Sequence, residues 1–201
     1  MSTTGRKLEF WYEFASTYSY LSAMRIEALA GAAGVQLAWK PFLLGPIFHA
    51  QGWDTSPFNI YPAKGRNMVR DIERLAAERS LRFALPAKFP QNSLVAARLA
   101  IVGGDEGWIA PFSRAVYVAE FAQGADIADR DTLKSILRGL HLDSEQLFAR
   151  IELADIKDRL KRQTAEAQAR GIFGAPSFLV GDELFWGDDR LEQALRWAKR
   201  A

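Results

Sequence analysis

Ser16 lies where an alternating aromatic stretch gives way to a helical pattern, and it is the first residue that could carry chemistry. The N-terminus of a helix has unpaired backbone N–H groups and a partial positive charge, so it stabilises an anion such as a thiolate. A serine hydroxyl there can donate one further hydrogen bond. Serine is also a common helix cap. The residues alone favour the cap and leave the anion site open.

A second candidate is the segment of residues 171–178, in which Ala175 and Pro176 precede a short apolar stretch. Proline is tolerated at the entrance to a strand because it need not donate to the ladder there. If the bond between Ala175 and Pro176 is cis, the backbone N–H and C=O of Ala175 can pair with an extended peptide. Most X–Pro bonds are trans, so the sequence alone favours the trans form.

A third candidate is the acidic pair Asp188 and Asp189, which opens the last helical pattern and is followed by Arg190. Acidic side chains suit the positive end of a helix dipole, and this is the favoured interpretation. Alternatively, the two acids would bind the ammonium group of a ligand while Arg190 binds a carboxylate. Both interpretations remain open.

Charged residues of the central part form a weaker group. Lys64, Arg66, Asp71 and Arg74 are three or four positions apart on one predicted helix, and Asn92 precedes another. Such spacing is typical of a solvated charged face, although a buried subset could bind an acidic substrate. Aromatic residues are more often core than substrate wall, and this applies to Phe10, Trp11, Phe42, Phe48, Trp53 and Trp186.

Composition excludes several classes of function. The 201 residues include no cysteine, which excludes disulfides, thiol catalysis by the protein and thiolate metal sites. His49 and His141 are far apart and no glycine-rich phosphate loop occurs, so we predict neither a metal nor a nucleotide site. The formal net charge is only +2 and the basic residues form no run, so we expect no nucleic-acid partner.

The sequence also leads us to expect a soluble, cytoplasmic protein without a membrane partner. Its first residues are polar, with no apolar stretch long enough for a signal peptide. No segment approaches the roughly 18 continuous apolar residues of a transmembrane helix. The lack of cysteine is consistent with a reducing compartment.

The elements that must position these residues begin with a strand–helix–strand unit. Residues 8–14 alternate in hydrophobicity, residues 18–30 have apolar side chains near helical spacing, and residues 35–40 alternate again. Gly31 and Gly34 are expected to end the helix. The two strands should therefore be parallel and joined by a right-handed crossover.

The rest of the chain is predicted to be helical until close to its end. Prolines make residues 45–62 irregular, and the helices that follow span residues 63–78, 93–103, 111–122, 130–137 and 144–168. Two short strands separated by a Gly-Asp turn then predict a β-hairpin over residues 177–186. A final helix is predicted over residues 189–200. The order is β-α-β, a helical block, then β-β-α.

Four stretches carry a resemblance to a known family, namely residues 10–21, 39–45, 171–178 and 185–191. They read FWYEFASTYSYL, WKPFLLG, GIFGAPSF and FWGDDRL. In the first, the two serines of Ser-x-x-Ser stand where redox relatives place Cys-x-x-Cys. Together these stretches resemble the 2-hydroxychromene-2-carboxylate isomerases, which are relatives of the kappa-class glutathione transferases in the DsbA-like branch of the thioredoxin superfamily.

The resemblance implies an α/β fold, thioredoxin-like β-α-β…β-β-α with a large all-helical insertion of the DsbA/kappa type. Residues 1–44 and 171–201 would form the thioredoxin-like domain, and residues 45–170 the inserted helical domain. Glutathione is the implied cofactor and a small aromatic acid the implied substrate. A homodimer is implied only by family likeness.

The same resemblance assigns roles by position. Ser16 would be catalytic, donating a hydrogen bond to the glutathione sulfur and favouring its thiolate. Ala175, next to Pro176, would pair through its backbone with the cysteinyl part of glutathione. The γ-glutamyl end would be held by the acidic pair that opens the last helix. The implied glutathione-binding residues are Ser16, Lys64, Ala175, Pro176, Asp188, Asp189 and Arg190, and the implied substrate-binding residues are Phe42, Lys64 and Asn92.

The implied reaction interconverts 2-hydroxychromene-2-carboxylate and trans-o-hydroxybenzylidenepyruvate. A thiolate adds to the conjugated carbon of the ring-opened aromatic pyruvate, the former double bond rotates, and expulsion of the thiolate regenerates glutathione. A kappa-type transferase and a non-catalytic glutathione- or peptide-binding module remain alternatives. Disulfide oxidoreductase activity is excluded because neither residue of Cys-x-x-Cys is present.

Overall fold

The structure, a computed structural model, describes residues 6–200. Its centre is a four-stranded sheet of β1 (Lys7–Tyr12), β2 (Gln36–Pro41), β3 (Ser177–Val180) and β4 (Glu183–Trp186). All four predicted strands are confirmed, the two of the hairpin with their predicted bounds. The first five residues, on which the expectation about a signal peptide depends, and the last residue lie outside the described part.

The strands are ordered β2-β1-β3-β4, with β1 and β2 parallel and the other two pairs antiparallel. Phe10 of β1 lies in register between Trp39 of β2 and Phe178 of β3. The ring centroids of Phe10 are 5.0 Å from those of Trp39 and 5.6 Å from those of Phe178. Aromatic cross-strand neighbours stabilise a sheet. The rings of Phe10, Trp39 and Phe178 therefore help to hold β2, β1 and β3 together on this face.

The connection between β1 and β2 contains two helices, α1 (Thr17–Ala23) and α2 (Ile26–Ala33), so the single helix predicted over residues 18–30 is wrong. The break falls at Arg25, whose φ of −130° lies outside the helical region. Its guanidinium is held by acidic residues near the C-terminus, a tertiary contact that local spacing does not encode. Gly34, at φ 66°, ends α2 as expected.

The segment after β2 is more regular than predicted. Residues 45–62 contain α3 (Leu44–Ala50) and α4 (Pro57–Ile60), so the irregular interpretation is wrong for most of it. Pro46 lies in the first turn of α3, and Pro57 begins α4. Proline lacks an N–H, but the first N–H groups of a helix have no intrahelical acceptor, so proline is tolerated there.

The next helices agree with the sequence pattern. They are α5 (Pro62–Glu78), α6 (Leu94–Glu106), α7 (Ile109–Gln123) and α8 (Arg130–Gly139), each with ends within three residues of the predicted ones. Helices α5 and α8 each bury one face, whereas α6 and α7 bury a much broader surface, and both patterns are visible in the sequence.

The stretch predicted as one helix over residues 144–168 is instead α9 (Ser144–Arg150) followed by α10 (Ala154–Ala169). The chain turns at Leu153, which has an extended conformation (φ −66°, ψ 146°). Neither glycine nor proline marks this turn, so nothing local in the sequence indicated it.

The C-terminal helix also begins differently from the prediction. A 3₁₀ turn, Asp188–Arg190, precedes α11 (Leu191–Ala198). Gly187, before the turn, has φ 107°, and a Cβ there would lie 2.6 Å from an oxygen of Asp189. Glycine at this position therefore lets the chain approach the acidic side chain closely.

The larger buried apolar cluster joins the sheet to the central helices, and a smaller one lies on the other side of β1. The predicted order of β-α-β, helices and β-β-α is confirmed, and the fold is thioredoxin-like. The division into residues 1–44 with 171–201 and residues 45–170 stays a prediction. None of the helices within residues 6–200 has the length and apolar character needed to cross a bilayer.

Candidate active site

A cavity of about 1070 Å³ opens where the chain leaves β1 and β2. The β1–α1 turn, the start of α3, the loop before β3 and the turn after β4 form its walls, and residues of the central helices close it. Loops at the carboxyl ends of parallel strands are a usual place for a ligand in α/β proteins. Most of its surface is apolar, with aromatic side chains from Phe48, Trp53, Phe58, Phe89, Phe173 and Trp186.

Ser16 caps α1 and lies on the cavity wall. Its Oγ accepts a hydrogen bond from the backbone N–H of Ser19 at 3.2 Å and donates to the carbonyl oxygen of Ala175 at 3.0 Å. The two interpretations left open by the sequence are therefore compatible, because the capping hydroxyl also borders the cavity. This contact joins the first turn of α1 to the loop before β3.

The bond between Ala175 and Pro176 is cis, whereas the sequence alone favoured trans. Ala175 and the preceding Gly174 line the cavity. A Cβ on Gly174 would lie 2.4 Å from Nε1 of Trp186, so only glycine allows this indole to lie across the loop. Trp186 in turn contacts Phe173, with ring centroids 4.9 Å apart.

Asp188 is buried and fully engaged within the protein. One of its carboxylate oxygens accepts hydrogen bonds from Ser22 Oγ at 2.8 Å and Arg25 at 3.2 Å. The other oxygen accepts from Arg79 at 2.7 Å. Its side chain is only 3% exposed. Although Asp188 borders the cavity, its carboxylate holds α1, the end of α5 and the 3₁₀ turn together.

Asp189 also lies at the cavity but differs from its neighbour in burial and in its partners. Its side chain is 72% exposed, lines the cavity and forms an ion pair with Arg190 at 3.5 Å. Arg190 is also exposed and lies outside the cavity lining. Of the three adjacent residues predicted to hold glutathione, the structure brings only Asp189 to the cavity with a carboxylate available to a ligand.

Lys64 and Asn92, two of the predicted substrate-binding residues, both border the cavity. The Lys64 ammonium lies 4.7 Å from the ring centroid of Tyr61 and is exposed, so it can reach an anion in the cavity. Asn92 uses its side-chain oxygen to accept from the N–H of Leu94 at 3.0 Å. Its amide group remains available as a donor.

Phe42, predicted as a substrate contact, is 1% exposed and belongs to the smaller core cluster with Trp11 and Ile47. It does not line the cavity. Phe42 directly follows β2, and its side chain packs edge-on against Trp11, with ring centroids 6.1 Å apart. Phe48, Trp53 and Trp186, which the sequence favoured as core, line the cavity instead.

Sequence reasoning missed Tyr18 and Asp71 as a pair. The Tyr18 hydroxyl donates to a carboxylate oxygen of Asp71 at 2.9 Å, and Arg74 pairs with the other oxygen at 3.1 Å. Tyr18 and Asp71 both line the cavity. Burial, together with the neighbouring Asp71, raises the pKa of Tyr18, so its hydroxyl stays protonated. Their contact joins α1 to α5 across 53 residues of sequence, and no local pattern encodes it.

Glu13 was also missed. It lines the cavity three residues before Ser16, and burial raises its pKa even though neighbouring hydrogen bonds lower it in part. An acidic residue between aromatic ones at the end of a buried strand was the available signal. Within residues 6–200, no group of three or more histidine, cysteine, aspartate or glutamate side chains is arranged to hold a metal ion.

Residues 7–196 match the family of the DSBA-like thioredoxin domain, and the chain belongs to that family. The 2-hydroxychromene-2-carboxylate isomerase of Sphingobium xenophagum is 28% identical over 188 residues, which cover 93% of this chain and 95% of that protein. Glutathione S-transferase kappa 2 of Caenorhabditis elegans is 26% identical over 204 residues, with 92% and 88% covered. A solved structure of 2-hydroxychromene-2-carboxylate isomerase superposes with a TM-score of 0.85 at 25% identity, covering 96% of this chain and 95% of that one.

Proposed function

We propose that the protein is a glutathione-dependent isomerase that interconverts 2-hydroxychromene-2-carboxylate and trans-o-hydroxybenzylidenepyruvate, a step in the breakdown of aromatic compounds. Relatives named as isomerases and as a glutathione transferase support an enzyme of this kind. The observation that carries the proposal is the contact of the Ser16 hydroxyl with the Ala175 carbonyl at 3.0 Å, on the wall of a large apolar cavity.

The chain has no cysteine, so a sulfur nucleophile beside Ser16 has to come from a ligand. Bound glutathione supplies a thiolate nucleophile. Ser16 turns its hydroxyl from Ala175 toward the sulfur, since a hydrogen bond to a charged acceptor is stronger than one to a carbonyl. The first backbone N–H groups of α1 add positive potential at the same place.

The donors and acceptors around Ser16 fit the other groups of the tripeptide. Ala175 offers its backbone to the cysteinyl residue. Asp189 offers an exposed carboxylate to the γ-glutamyl ammonium group. The exposed ammonium of Lys64 suits a carboxylate of either glutathione or the substrate. Asp188 is proposed to contribute by holding this wall in place, because its oxygens are already taken.

The remaining cavity suits a planar aromatic acid. Aromatic side chains cover its walls and exclude water from the reacting atoms, which strengthens every polar interaction inside. Asn92 and Lys64 are the polar groups proposed to orient the carboxylate and the oxo group of the substrate. A cytoplasmic location and a homodimer also stay predictions.

The test is an absorbance assay of the interconversion with and without glutathione. We expect turnover only when glutathione is present, and full recovery of free glutathione at the end. Turnover that is unchanged without glutathione would contradict the proposal.

A kappa-type transferase is the second candidate, supported by the 26% identical relative of that class. Incubation with glutathione and a chlorinated nitroaromatic separates the two activities. A stable thioether formed at a rate above the isomerisation rate would favour the transferase. Glutathione binding by titration without either activity would favour a non-catalytic binding module.

A further inference from the structure

Glu13 places a carboxyl group on the same turn, and on the same cavity wall, as Ser16. One carboxylate oxygen accepts from the N–H of Ala15 at 3.3 Å, and the other from the N–H of Leu44 at 3.0 Å. The residue is 7% exposed. Within the described chain, no lysine, arginine or histidine forms an ion pair with it. Glu13 is thus a cavity-facing carboxyl held by neutral donors alone.

The neighbouring residues Ser93, Tyr117 and Glu120 also carry no positive charge. The neighbouring Ser93 hydroxyl is neutral as well, and the Tyr117 hydroxyl donates to the backbone carbonyl of Glu13 at 2.9 Å. Glu120, a second carboxyl, is fully buried, and neither of its oxygens has a hydrogen-bond partner within residues 6–200. Burial without a cation raises the pKa of Glu13, so its carboxylate, when ionised, is a stronger base than an ordinary exposed carboxylate.

We propose that Glu13 is the proton acceptor of this site, taking the proton that the thiol of glutathione loses when it binds beside Ser16. The S–H bond breaks, its electron pair stays on sulfur, and the proton is bound by a carboxylate oxygen of Glu13. Nothing is oxidised or reduced, and the proton returns to sulfur when glutathione leaves. This inference rests on the proposed glutathione site.

The charge balance of the cavity explains why formation of the thiolate requires both Ser16 and Glu13. An ionised Glu13 next to a thiolate would place two negative charges in an apolar cavity, where they repel strongly. Transfer of the proton leaves the total charge of the cavity unchanged, because one anion replaces the other. Ser16 then stabilises the sulfur as a hydrogen-bond donor, while Glu13 stores the proton within the protein.

The test measures how many protons are released to solvent when glutathione binds. Calorimetric titration of glutathione in two buffers with different ionisation enthalpies gives the number of protons released, and ultraviolet absorbance reports the bound thiolate. At slightly alkaline pH, we expect the wild-type protein to form the thiolate with almost no proton released. Glu13→Gln should either release about one proton per thiolate or fail to form the thiolate.

Two controls separate this role from a structural one. S-methylglutathione has no thiol proton, so it should bind the wild type and Glu13→Gln with equal, near-zero proton release, which also shows that the variant is folded. Glu120→Gln removes a buried carboxyl outside the cavity lining and should behave as the wild type.

The outcomes are distinguishable. Release of about one proton by the wild type, or the same proton count and thiolate signal in Glu13→Gln, overturns the role of Glu13 and leaves the glutathione site standing. An effect of Glu120→Gln equal to that of Glu13→Gln also overturns it. Absence of glutathione binding to the wild type overturns both proposals.

Discussion

At the scale of the single residue, Ser16 combines two tasks that sequence reasoning had treated as alternatives. Its hydroxyl accepts from Ser19 as a helix cap and donates to Ala175 across the cavity wall. A hydroxyl can do both because it has one donor and two acceptor positions. The capping role accounts for the conformation of the turn, and the donor role is what a bound thiolate would use.

Replacing Ser16 by alanine should lower kcat of the isomerisation by about 10- to 100-fold, because a hydrogen bond to a charged group contributes about 1.5–3 kcal/mol. Steady-state kinetics with saturating glutathione gives this value. Asp143→Ala is the matched control, since Asp143 caps α9 by accepting from Gln146 and lies away from the cavity. Equal kcat in Ser16→Ala and the wild type would remove Ser16 from the reaction.

Asp189 is the residue that should recognise the ammonium group of glutathione. Asp189→Asn should raise the Kd for glutathione about fivefold, a modest change because an exposed ion pair contributes no more than about 1 kcal/mol. Calorimetry measures it. A glutathione analogue without the α-amino group should bind the variant and the wild type equally, and a fivefold difference with that analogue as well would contradict the assignment.

At the scale of the elements, Asp188 joins segments that are far apart in the chain. Its carboxylate accepts hydrogen bonds from Ser22 and Arg25, in the α1–α2 region, and from Arg79 at the end of α5. The Arg25 guanidinium also contacts Glu192 of α11. Asp188 therefore anchors the part of the cavity wall that carries the adjacent Asp189.

Asp188→Ala should lower the free energy of unfolding by about 3–5 kcal/mol, since it leaves two partly buried guanidinium groups without their shared carboxylate. Urea denaturation measures this value. Asp189→Asn, one residue away and exposed, should change stability by less than about 0.5 kcal/mol. A small effect of Asp188→Ala would show that solvent or other side chains replace the carboxylate easily.

At the scale of the whole molecule, a buried acidic group makes stability depend on pH. Burial raises the pKa of Glu120 well above its ordinary value, and the nearby carboxyls of Glu13 and Asp126 raise it further. The folded state therefore holds a proton that the unfolded state has already lost. As the pH rises above the ordinary carboxyl pKa of 4.5, the folded state progressively loses stability relative to the unfolded one.

Glu120→Gln removes this proton and should flatten the decline in melting temperature between mildly acidic and mildly alkaline pH. The amide mimics the protonated carboxyl, so the variant should gain most at the alkaline end. Thermal melts over a pH series measure it, with Glu183→Gln on the exposed hairpin as control. A slope unchanged by Glu120→Gln would mean that Glu120 is ionised in the folded protein.

Elements with a local signal could be predicted from the amino-acid chain alone. Strands β3 and β4 have their predicted bounds because two short stretches and the Gly-Asp turn between them lie within ten residues. The long helices α5 to α8 were found from the spacing of their apolar residues. Ser16 and Ala175 were identified as candidates because a turn before a helix and a proline before a strand are readable in the chain.

The folded arrangement determines which candidate residues share a cavity and which are bound to other side chains. Asp188 and Asp189 are adjacent and identical in type, but Asp188 is bound by two guanidinium groups from distant positions in the chain. Phe42 is core, whereas Trp186 lines the cavity, and the pairing of Tyr18 with Asp71 crosses between helices. Burial and ion pairing depend on partners distant in the chain, so local patterns carry no information about them.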